Sequence, residues 1–191
     1  MSGDKPRITA KHLKNKRFWQ TEQKILQVYF EHHGYITVSE LTKKAEITRS
    51  TFYHHHRAVY EILTDYEDFL VTEYGREINS LSKLKHISIR KICSTTVFFI
   101  SRHKKFFEIL RNGKRREIFF AMQEKARPLL IKEMRLPPGS AKVYLVCAGE
   151  INTLITDWID FGCCSDSTGR LISDTTLLIE TARIRLAPIL A

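Results

Sequence analysis

Apolar residues return every three or four positions through most of this chain and almost nowhere alternate, so the pattern is that of packed helices rather than of sheet. From Tyr60 to Ser82 the residues Ile62, Leu63, Tyr66, Phe69, Leu70 and Tyr74 trace one stripe and predict a long helix. Ser88 stands as a cap ahead of a second stripe made by Ile89, Ile92, Cys93, Thr96, Phe99 and Ile100. A short helix carrying Phe106, Phe107, Ile109 and Leu110 should end at Asn112-Gly113. The next holds Ile118, Phe119, Met122, Leu129, Leu130 and Met134, with Pro128 expected to kink or split it. Pro137-Pro138-Gly139 breaks the pattern, and two apolar helices follow, one over 141–161 and one from Leu171 onward. No strand pair, hairpin signal or internal repeat competes, so the fold class is all-α with about nine helices.

The N-terminal third is written in shorter, more explicitly capped pieces. Thr37 is followed three residues later by Glu40, the spacing of a capping box, so a helix begins near Val38 with Val38, Leu41 and Ala45 on its buried stripe and Lys43 and Lys44 off it. Glu46 and Ile47 interrupt it, and Thr48 caps a second short helix whose first turn is Arg49, Ser50 and Thr51 and whose core anchor is Phe52. Upstream, Ile25, Val28, Tyr29 and Phe30 give the apolar side of a supporting helix, with Thr21 as its cap and Gly34 as a stop needing positive φ. Two short helices across a tight link, backed by a third, form a helix-turn-helix. Small or bidentate hydrogen-bonding side chains at the start of the second are what a recognition helix presents to base edges and phosphates, which makes double-stranded DNA the expected partner.

Residues 24–70 resemble the N-terminal DNA-binding domain of TetR-family transcriptional regulators, from KILQVYFEHHGY through TVSELTKKAEITRSTFYHH to an apolar fourth helix beginning near Val59. The resemblance implies that Thr37 contacts phosphate, that Thr48, Arg49, Ser50 and Thr51 lie along the major groove, and that Tyr53 gives its hydroxyl to a phosphate. His54 and His55 occupy positions where members often place polar DNA-contacting residues. The chain departs from the family at His56, where members usually have Phe, and at Val59, where they usually have Lys; Arg57 offers a charge nearby. Three consecutive histidines do not make a metal site, because neighbouring positions on a helix diverge by about 100°, and no metal or cofactor is expected. Near DNA they would titrate and strengthen binding at lower pH.

Charge agrees with this division. Residues 1–60 hold 11 Lys or Arg against 5 Asp or Glu, a balance of +6, whereas 61–191 hold 20 against 16, a balance of +4. Lys5, Arg7, Lys11, Lys14, Lys16 and Arg17 crowd a basic arm over 1–20, placed to lie along phosphates or enter the minor groove, with Lys14, Lys16 and Arg17 nearest the head. The helix-turn-helix domain then spans 21–66 and a larger helical ligand-binding and dimerisation domain 67–191. With 191 residues, no long apolar run and no apolar signal segment, the chain is expected to be a cytoplasmic protein without a membrane partner. The four cysteines at 93, 147, 163 and 164 lack C-x-x-C spacing and are expected as free thiols.

Phe98-Phe99, Phe106-Phe107 and Phe119-Phe120 come as adjacent pairs, and neighbours on a helix share one core only if the helix is enclosed. In TetR-like regulators this region holds an effector cavity, so the resemblance implies that some of these rings line one, with Tyr66, Phe69, Phe98, Phe99, Phe106, Phe107, Phe119 and Met122 as candidates for a pocket taking a small hydrophobic effector, while plain core packing is the commoner fate of any single Phe at helical spacing. The last two helices are apolar over more than one face, and Leu154, Ile155, Trp158, Leu178, Ile179 and Ala182 are expected at a two-fold homodimer interface. The reading is a DNA-binding transcriptional regulator, a repressor released by its effector. A ligand-independent architectural or cell-cycle factor and an adaptor acting through protein contacts stand as alternatives. No Gly-rich phosphate loop, catalytic carboxylate pair or nucleophile elbow suggests an enzyme.

Overall fold

The structure, a computed structural model, describes residues 15–112, 117–135, 141–160 and 165–186. Within them the protein is all-α, without a strand: α1 (Lys16–Glu31), α2 (Val38–Lys44), α3 (Arg49–His55), α4 (Val59–Leu81), α5 (Ile89–Arg102), α6 (Lys104–Asn112), α7 (Glu117–Met134), α8 (Ala141–Asp160) and α9 (Ser165–Leu186). The chain forms two compact units divided between Thr72 and Glu73, so that α4 belongs partly to each. Among the described residues no helix is long and apolar enough to cross a membrane.

In the first unit, α1 starts earlier than Thr21. The side chain of Asn15 accepts from the amides of Arg17 and Phe18 at 3.2 and 3.3 Å, and this cap sets the start at Lys16. Thr21 lies inside the helix, its hydroxyl donating to the Arg17 carbonyl at 3.2 Å, a bond available to Thr in any helix interior. Lys16 and Arg17 therefore sit in the first turn of α1 rather than on an arm, and Lys14 lies outside the described residues. The helix closes at Gly34, φ +80°, whose amide donates to the Tyr29 carbonyl at 3.0 Å; a Cβ there would come within 2.9 Å of the Tyr29 hydroxyl. Ile25, Leu41, Phe52, Ile62 and Leu70 are wholly buried and join α1 to α4 in one core. Trp19 packs on Phe69 at 5.4 Å between ring centres, and Phe30 on Tyr66 at 5.6 Å. Tyr66 and Phe69 thus build this core.

In the second unit α5 packs on α7 and α9, α9 on α8, and α8 on α6 and α7. The aromatic pairs divide according to how enclosed each helix is. Phe99 is buried against Tyr74, 5.3 Å between ring centres, while Phe98 is exposed. Phe119 is buried 5.5 Å from Phe107, while Phe120 is exposed. On α6 both Phe106 and Phe107 are buried. Pro128 does not split its segment: α7 is one helix through it, and both Pro128 and Glu124, whose carbonyl loses its partner, are exposed, so the missing bond faces water.

Two groups of residues lie elsewhere than the sequence suggests. A cavity of about 50 Å³ lies among Tyr74, Ile92, Phe119, Met122, Leu130 and Ile155. Phe119 and Met122 line it, whereas Phe98 is at the surface, and Phe99, Phe106 and Phe107 are core residues outside its wall. Of the residues expected at a dimer interface, Ile155, Trp158 and Ile179 are buried within their own chain, the Trp158 indole donating to the Ser167 hydroxyl at 2.9 Å. The reason is that α8 and α9 spend their most apolar sides on each other and on the body. Leu154, Leu178 and Ala182 are half-buried, and among the described side chains of α9 the large apolar Leu177 and Ile184 are exposed. Cys93 is a buried free thiol.

Candidate nucleic-acid interface

The two short helices start where their caps dictate. At α2 the box is complete: the Glu40 amide donates to the Thr37 hydroxyl oxygen at 3.3 Å, and the Thr37 amide and hydroxyl both donate to the Glu40 carboxylate, at 3.0 and 2.7 Å. Those bonds hold the Glu40 carboxyl below its usual range. Both Thr37 donors are engaged, so the phosphate contact implied for Thr37 would have to compete with a carboxylate. At α3 the Thr48 hydroxyl oxygen accepts from the Thr51 amide at 3.0 Å and bonds the Thr51 hydroxyl at 2.8 Å. Between the helices the Ile47 amide donates to the Thr42 carbonyl at 3.0 Å, with Glu46 at φ +54°, which closes the tight link.

With its start fixed, α3 divides cleanly. Arg49, Ser50 and His54 are exposed, Tyr53 is 53% exposed, and Phe52 is fully buried behind them. Lys43 and Lys44 at the end of α2 and Arg57 just beyond α3 are exposed as well, the Arg57 amide donating to Glu61 at 3.3 Å. A rigid helix face with an Arg, a hydroxyl, a phenol and an imidazole, rimmed by cations, can meet a phosphate backbone and the base edges beside it.

His55 belongs to the other side of the helix, which corrects its assignment to DNA contact. It is buried, stacks on Phe18 at 4.0 Å between ring centres, and places Nδ1 2.7 Å from Oε2 of Glu22. His56 is also buried: its Nε2 lies 3.0 Å from Oε1 of Glu22 and its Nδ1 2.8 Å from Oδ2 of Asp65. Burial alone would drive the His56 imidazole toward neutrality. The bonds to Asp65 and Glu22 and the charges of both outweigh it, and the ring is lifted to about 9. Glu22, itself without exposed surface, is opposed by burial in the same way. Its bonds to His55 and His56 outweigh burial and hold the carboxyl below its usual range.

His56 is thus a buried polar group with a carboxylate at each ring nitrogen. Glu22 and Asp65 were not singled out from the sequence, although a signal existed: both lie on apolar stripes, Glu22 three residues before Ile25 and Asp65 three after Ile62. Among the described residues no group of His, Cys, Asp and Glu is arranged to hold a metal ion. No protein-family model, curated protein or solved structure matches the chain.

Proposed function

We propose that the protein is a sequence-specific DNA-binding transcriptional regulator whose reader is the helix-turn-helix of the first unit. The observation that carries this reading is the division of α3, with Arg49, Ser50, Tyr53 and His54 outward and Phe52 and His55 inward. The resemblance of residues 24–70 to TetR-family heads points the same way and supplies the rest of the proposal: a cytoplasmic homodimer that represses from a near-palindromic site. Leu177 and Ile184, 64% and 67% exposed on α9, support a two-fold contact there. Release by a small hydrophobic effector would use the cavity beside Phe119 and Met122.

The size of that cavity favours a second reading. At about 50 Å³ it has room for a few waters, whereas ligand pockets run to roughly 300 Å³ and above. A regulator that holds DNA without any ligand needs no such opening.

Selection of binding sites from random DNA with the purified protein tests the proposal, and a palindromic consensus is the expected result. Weak, salt-sensitive binding without a consensus would indicate a general DNA binder, and no binding an adaptor. With a site in hand, Tyr53→Phe weakens binding by about 1 kcal/mol on every sequence, through loss of one phosphate hydrogen bond. Arg49→Ala blurs preference at one base step. Parental affinity and preference in both variants would remove α3 from the groove.

A further inference from the structure

We propose that Glu22 and Asp65 are positioning residues for DNA recognition, gripping the two histidines that close α3 and so fixing the angle at which Arg49, Ser50 and Tyr53 are presented, a role that rests on the DNA-reading function proposed above. Phe52 is the one large apolar side chain of α3 that is fully buried, and an apolar contact is non-directional, so it leaves a seven-residue helix free to roll. Directional bonds remove that freedom. His55 and His56 meet Glu22 across 33 and 34 residues of sequence, and His56 meets Asp65 on α4, so α1, α3 and α4 are joined through four side chains.

The grip depends on a proton. An imidazolium donates from both nitrogens, and His56 has a carboxylate at each. Neutral imidazole keeps one donor. Deprotonation therefore leaves either Glu22 or Asp65 facing a ring lone pair, and the helix end is no longer held on both sides. Further groups face the cluster from α4 and α1. From α4, Asp68 is raised by burial and by the charge of Asp65, and Tyr66 is pushed up to about 12 by burial and by Glu22. From α1, Phe18 covers His55; Glu61 of α4 is turned to the Arg57 amide.

The test is the affinity of the full chain for its selected site, followed by fluorescence anisotropy from about pH 7 to about pH 10 at fixed salt, with helicity recorded at every step. The parent is expected to lose roughly tenfold in affinity with a midpoint near 9. Asp65→Asn removes one of the two charges that hold the proton and moves the midpoint down. His56→Phe abolishes the pH dependence. A merely structural cluster would lower the melting temperature of Asp65→Asn and leave the midpoint in place, and that result, or an unchanged profile in His56→Phe, overturns the proposal. Should His56→Phe lose its helicity, the midpoint of Asp65→Asn, a variant of a half-buried residue, decides alone. A parent that binds its site equally at every pH overturns the positioning role only. A parent for which no site can be selected overturns the DNA-reading function, and the positioning role with it.

Discussion

The two units of this chain treat a covered histidine in opposite ways. In the first, His56 lies between Glu22 and Asp65, and those two carboxylates keep it charged up to about 9. In the second, His103 lies beside Phe99, 4.8 Å between ring centres; burial and then the charge of Arg102 push it down to about 4, against the weaker pull of Glu77. Burial acts in the same direction on both rings. What differs is the sign of the nearest charges, and this decides whether the covered ring stays charged or neutral.

Removing one partner of the ionic cluster is the strongest way to break this contrast. Glu22→Ala leaves the buried His55 without its carboxylate and His56 with Asp65 alone, and costs about 3 to 5 kcal/mol in denaturant unfolding at mildly acidic pH. Phe107→Ala costs about the same by opening a cavity in the second unit. The two losses separate on titration: that of Glu22→Ala shrinks toward alkaline pH, where the parent has itself lost the His56 proton, and that of Phe107→Ala stays constant. Equal pH dependence in both would abolish the distinction between the cores.

The parent itself should show a slightly smaller effect. His56 has a folded value of about 9 against an unfolded 6.5, so its contribution is complete below about pH 6.5 and is lost as pH rises through about 9. The gap between 6.5 and about 9 corresponds to roughly 3 kcal/mol. His103 has the reverse sign: its folded value lies below 6.5, so the second unit loses stability as pH falls from 6.5 toward about 4. Amide protection factors on the full chain should therefore decline first in α1 and α3 in alkali and first in α5 in acid. The same order of loss at both extremes would show that the histidines do not govern it. Smallest is Thr48→Ala, about 1 kcal/mol through loss of the α3 cap, with protection in the second unit unchanged.

What the sequence reveals here follows the range of the interaction. Thr37 with Glu40 and Thr48 with Thr51 act across three residues, and both helix starts could be read directly from spacing. Thr21 misled because a threonine hydroxyl serves equally well inside a helix, as its bond to Arg17 illustrates. The periodic stripes identified the long helices, but the period does not say which of two neighbouring rings turns inward; Phe98 and Phe99 are settled by the helices packed on α5. Ile155, Trp158 and Ile179 read as an outer surface because α8 and α9 are apolar on several sides, and the choice among those sides is tertiary. The ionic cluster spans 33 and 34 residues, so only the unusual presence of acids on apolar stripes hinted at it.

The chain has two tryptophans, and the fold gives one to each unit: Trp19 against Phe69 in the first, Trp158 bonded to Ser167 in the second. Each indole is therefore a private lamp for its own core. Darkening one by replacement with phenylalanine leaves the emission of the other to report on a single unit, in the intact protein and without any attached dye.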